Sequence, residues 1–149
     1  MPVIEHQLWI KAPIEVCFDL ARHVDIHVQT VSKTKERAVG GVTEGLLEAG
    51  DTVTWEAVHF GIRQRLTAQI TEMQKPYRFV DIMVKGAFRS FTHVHEFREE
   101  TGGTVMIDRF DYRAPFGLLG VIADKWFLEN YMRQFIASKA IELKKIAEA

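Results

Sequence analysis

From Thr52 to Tyr112 the chain falls into five short apolar or alternating segments, and the breaks between them are too short to carry a helix. The segments are Thr52–Phe60, Ile62–Met73, Tyr77–Val84, Phe88–Glu99 and Thr104–Tyr112, divided by Gly61, by Lys75-Pro76, by Gly86 and by Gly102-Gly103. A parallel crossover needs roughly a dozen residues or more, so strands joined this closely pair antiparallel, as a meander. After Pro115 the apolar period changes: Val121, Leu128, Met132, Phe135, Ile136, Leu143 and Ile146 recur at helical spacing, with Lys125, Glu129, Arg133, Glu142 and Lys145 opposite. The spacing predicts one amphipathic helix of about 30 residues. Such a helix, more than twice the mean length, needs a long apolar surface to cover its stripe, and a curved sheet is the partner the sequence offers.

The first fifty residues add smaller pieces. Val3 to Lys11 carries Val, Ile, Leu and Trp in weak alternation and reads as a strand. Pro13, followed by Glu15 in the first turn, predicts a short helix from about Pro13 to Leu20. Arg22 to Val31 reads as a second short helix. The glycines from Gly40 to Gly50 break any regular pattern and suggest a mobile flap.

A chain of 149 residues is one domain's worth, so the expectation is a single domain over residues 1–149. Its 19 basic and 20 acidic residues leave a net charge of −1, which gives no pull toward nucleic acid or an anionic membrane. The most apolar stretch, Ala114 to Ala123, holds Pro115 and two glycines and falls well short of the ~20 residues that span a bilayer. Cys17 is the sole cysteine and lies in an apolar stretch, where it reads as a small buried hydrophobe. With no basic segment and hydrophobic run at the start of the chain, the expected location is the cytoplasm.

Strand, two short helices, glycine-containing link, meander and long final helix form an order that resembles the START-like, or SRPBCC, superfamily. The resemblance is nearest to its polyketide cyclase/dehydrase or ligand-binding branch, some of whose members are described as cell-division inhibitors. It rests on Gly50-Asp-Thr-Val-Thr-Trp-Glu-Ala-Val-His-Phe-Gly61, Pro76-Tyr-Arg-Phe-Val-Asp81, Gly86-Ala-Phe88, His93-Val-His95-Glu-Phe97 and Gly103-Thr-Val-Met-Ile-Asp108. It implies the α+β helix-grip fold: a curved antiparallel sheet of six to seven strands wrapped around the C-terminal helix, with two short helices after the first strand. No catalytic set comes with it, because the superfamily hosts carriers, receptors, cyclases and oxygenase domains on one scaffold.

Residues two apart on a strand share a face, which places Phe91, His93, His95 and Phe97 together. By the same parity Trp55, Ala57 and His59, then Phe79, Asp81 and Met83, then Met106, Asp108 and Phe110 point inward, with Met132 and Phe135 facing them from the helix. The expected lining is an aromatic and methionine wall whose polar points are His59, His93, His95, Asp81 and Asp108. Apolar walls with a few polar groups suit a small-molecule pocket. An unpaired buried polar group costs about 1–3 kcal/mol, so these groups either meet a ligand or satisfy one another.

The His93-x-His95 pair, with Asp81 or Asp108, has the donor types of a metal site, but the spacing alone supplies no third ligand, so no metal or other cofactor is assigned. His23 and His27, four apart on the second helix, read as solvent-exposed. There is no Gly-x-Ser-x-Gly, phosphate-binding loop, Cys-x-x-Cys or dinucleotide fingerprint. Three functions remain. The first is a non-catalytic binder or carrier of a small hydrophobic molecule, as monomer or homodimer. The second is a cyclase/dehydratase-type enzyme acting on a polyketide-like or aromatic substrate, with His93, His95, Asp81 and Asp108 as candidate catalytic groups. The third is a regulator that contacts another protein through the flap and the Pro115–Leu119 turn.

Overall fold

A computed structural model describes residues 2–115 and 127–149. Seven strands, β1 (Val3–Ile10), β2 (Arg37–Gly41), β3 (Thr52–His59), β4 (Ile62–Gln74), β5 (Arg78–Lys85), β6 (Ser90–Glu100) and β7 (Gly103–Arg113), form one antiparallel sheet. Its order is β1-β7-β6-β5-β4-β3-β2. Two short helices, α1 (Ile14–Ala21) and α2 (Val24–Thr30), follow β1, and α3 (Glu129–Glu148) ends the chain. This is the α+β helix-grip architecture.

Local chemistry sets the hairpins. Phe60 and Gly61 both have positive φ, 54° and 75°, which is the backbone of a two-residue primed turn between His59 and Ile62. Glycine adopts that conformation freely, whereas Phe60 is held there against its preference. Irregularities at Thr67/Ala68 and Ile70/Glu72 break the β4–β5 register, and breaks of this kind bend a strand and increase its twist.

Helix α3 buries Met132, Ile136, Ala140 and Leu143, a stripe at spacings of four, four and three, against the concave face. The described helix has 20 residues, and Val121 and Lys125 of the predicted helix of about 30 lie outside the described residues. So does Phe116–Leu119 of the predicted contact turn. Two apolar clusters close the space between sheet and helices. One gathers Ile10, Phe18, Trp55, Phe79, Phe97, Met106 and Leu143, and the other Ile4, Ala68, Phe91, Phe110, Tyr112, Met132 and Ile136. Cys17 is fully buried in the first.

The expected flap from Gly40 to Gly50 is corrected. Its start is strand β2, paired with β3, and its remainder is tied down by Val24 N–H donating to Gly45 O, Leu47 N–H to Arg22 O and the Arg22 guanidinium to Leu47 O. Leu47 is buried, so an apolar anchor holds the loop against α2. Among the described residues no helix is long and apolar enough to cross a membrane.

Candidate functional site

Between the concave face, α2 and α3 lies a cavity of about 430 Å³. Of the residues expected to line it, Trp55, His59, Phe79, Asp81, Phe91, His93, His95, Phe110, Met132 and Phe135 do. Met106 and Asp108 do not: with His93, His95 and Lys139 they line an adjoining hollow of about 20 Å³. Met83 is on the inner face opposite Ala68, but its sulfur packs toward Leu66 and the bare Cα of Gly86.

The sheet register assembles the polar cluster. Asp81 of β5 stands opposite His93 of β6, and His95 stands opposite Asp108 of β7. His95 Nε2 lies 2.8 Å from Asp81 Oδ1, and its Nδ1 lies 3.4 Å from Asp108 Oδ1. His93 Nε2 lies 3.0 Å from the same Asp108 oxygen. The imidazoles stack at 3.8 Å, and Phe79 covers His95 at 4.1 Å. On β1, His6 sits opposite Asp108 with a buried Nδ1 that has no hydrogen-bond partner among the described residues.

Burial alone would raise both aspartates, but hydrogen bonds and charge from the histidines hold each well below the usual carboxylate range. Burial would lower His95, and its bonds to Asp108 and Asp81 overcome this and raise it. His93 is lowered, first by burial and then by the charge on His95. The raised His95 favours an imidazolium between two carboxylates, and the lowered His93 favours a neutral ring whose Nε2–H can donate to Asp108. His93 Nδ1 is then a lone pair with no hydrogen bond among the described residues.

Two further polar groups escaped sequence reading. His27, expected in solvent, stacks on Trp55 at 4.1 Å and places Nε2 2.6 Å from Glu36 Oε1. His23 instead starts α2, its Nδ1 accepting from Asp25 N–H. The signal for His27 was present, since Val24, His27, Val28 and Val31 follow helical spacing along one face. On α3, Tyr131 and Lys139 share a face with Phe135 at intervals of four and reach the cavity. The Tyr131 hydroxyl lies 2.6 Å from His59 Nδ1. Burial lowers His59, and burial followed by the charge on Glu36 raises Tyr131.

No protein-family model matches the chain, and no curated protein matches its sequence. Solved structures do match in shape. The protein TTHA0849 of Thermus thermophilus superposes with a TM-score of 0.79 at 18% identity, over 97% of this chain and 95% of that one. Ginseng major latex-like protein 151 of Panax ginseng gives 0.70 at 14%, over 99% and 98%. Ara h 8.0201 gives 0.64 at 11%, over 95% and 97%. These likenesses define the class as helix-grip proteins, and the sequence resemblance to the START-like, or SRPBCC, superfamily holds at the level of the fold. Function rests on the site itself.

Proposed function

We propose that the protein binds a small hydrophobic molecule in this cavity as a non-catalytic binder or carrier. The observation that carries the reading is the space itself: about 430 Å³ lies within the roughly 300–1,000 Å³ of small-molecule sites, and its wall is largely apolar. Trp55, Phe79, Phe91, Phe110 and Phe135 suit a flat, mostly apolar ligand. Lys139, Tyr131 and the His93 Nδ1 lone pair supply a few donors and an acceptor for one or two oxygen functions on it. The buried, unpaired Cys17 and the near-neutral charge fit a cytoplasmic protein whose partner is a metabolite rather than a nucleic acid.

The probe 1-anilinonaphthalene-8-sulfonate tests this through its fluorescence. The expected result is saturable binding of one probe per chain, weakened at least tenfold by Ala57→Trp, which fills the cavity from β3. Absent saturation, or equal affinity in the filled variant, would overturn the reading.

One observation favours a second reading, an enzyme of the cyclase/dehydratase kind. A neutral histidine with a free nitrogen beside a bound molecule is the form a general base requires. In that case His93→Gln abolishes turnover of the bound substrate while leaving its affinity within a few-fold, and unchanged turnover excludes His93 as the base.

A further inference from the structure

We propose that Asp81, His93 and His95 form a metal site opening on the cavity, one that takes a single divalent transition-metal ion of the zinc or iron(II) kind. One donor atom from each lies within 4.8 Å of the other two. The strand ladder fixes this meeting, because Asp81 and His93 face each other across β5–β6 and His95 follows His93 on the same face. All three line the cavity, whereas Asp108 lines only a small adjoining hollow that it shares with His93 and His95.

That placement sorts the carboxylates into two roles. Asp108 takes His93 Nε2 at 3.0 Å and stands 3.4 Å from His95 Nδ1, so it can orient both rings. Metal-bound imidazoles commonly donate their second nitrogen to such a carboxylate. His93 is left to offer Nδ1, and His95 to offer Nε2, which already lies 2.8 Å from Asp81 Oδ1. Two histidines and one carboxylate with open positions suit zinc or iron(II).

Around a tetrahedral zinc with ligands at about 2.0–2.2 Å, donors sit roughly 3.3 Å apart, so side-chain rotations of order an ångström gather them. The cation replaces the proton that His95 shares with Asp81, and it relieves the burial of two carboxylates in one cluster. Lys139, reaching the cavity from α3, opposes a cation by its charge, and Asp81 and Asp108 together outweigh it. The remaining coordination position faces the cavity, where water or a ligand oxygen completes it. Metal binding at these three residues does not depend on a hydrophobic ligand in the cavity.

The test is titration of the metal-free, full-length protein with Co²⁺, followed by visible absorption and calorimetry. The expected result is one equivalent bound, with affinity at least tenfold weaker in Asp81→Asn and in His93→Gln. Asp108→Asn should weaken binding about 10- to 100-fold without changing the stoichiometry. Glu99→Gln, at an exposed carboxylate outside the cavity, should bind as the unaltered chain does. Should the cluster variants fail to fold, Zn²⁺ added to the unaltered protein must shift the ring proton resonances of His93 and His95 and spare those of His23. Lack of a one-to-one complex, binding that survives both Asp81→Asn and His93→Gln, or shifts confined to His23 would overturn the proposal.

Discussion

Buried between α2 and the sheet, His27 and Glu36 share a 2.6 Å contact that makes folding sensitive to acid. Unfolded, His27 takes up a proton near pH 6.5, at about the ordinary imidazole value. Folded, burial first and the Lys139 ammonium second hold it lower, so between the two values the unfolded chain binds more protons and stability decreases as the pH is lowered. Burial would raise Glu36, but His27 and Lys139 outweigh it and lower it. Its stabilisation is therefore present above the ordinary carboxylate value and lost as pH falls through the folded one. Urea midpoints from pH 7 to pH 5 should fall in the unaltered protein and fall less steeply in His27→Gln; equal slopes would count against this pairing. Parity on the strands sufficed to place His93, His95 and Asp81 on the cavity wall. It could not separate Asp108 from them, since which side of a stacked imidazole pair a carboxylate occupies depends on rotamers rather than spacing. His27 was lost to a prior that puts helical histidines in solvent, although three valines marked its face as apolar.

Among the elements, α3 binds the two core clusters together through a narrow stripe. Leu143 is 4% exposed, so Leu143→Ala should destabilise the fold by about 2–5 kcal/mol in urea unfolding, and a loss under 1 kcal/mol would mean the helix end packs loosely. The meander was legible because each of its strands has a glycine or proline break at its border. Strand β2 was not, since Arg37–Gly41 is short, ends in two glycines and shifts register between Ala38 and Gly40, leaving no alternation to read. The loop after it looked free because Gly45 and Gly50 interrupt any regular pattern. What restrains it is Leu47 together with backbone bonds to Arg22 and Val24, which pattern reading does not register.

For the molecule as a whole, a change of apolar period from sheet to helix was enough to indicate a grip, because one long amphipathic helix has few other surfaces to cover. A cavity is a different kind of claim. Its volume is what remains after Trp55, Phe79, Phe91, Phe110 and Phe135 have chosen rotamers around a sheet bent at two irregularities in β4, and no sequence period reports that remainder. The central claim is that this space accepts a guest, and native mass spectrometry of the protein mixed with 2-naphthol, flavone or dodecanoic acid addresses it most directly. The account predicts a one-to-one complex with at least one of these apolar molecules, lost when Ala68→Phe fills the cavity from β4. Spectra showing only the bare chain with every probe, or complexes that persist in the filled variant, would contradict it.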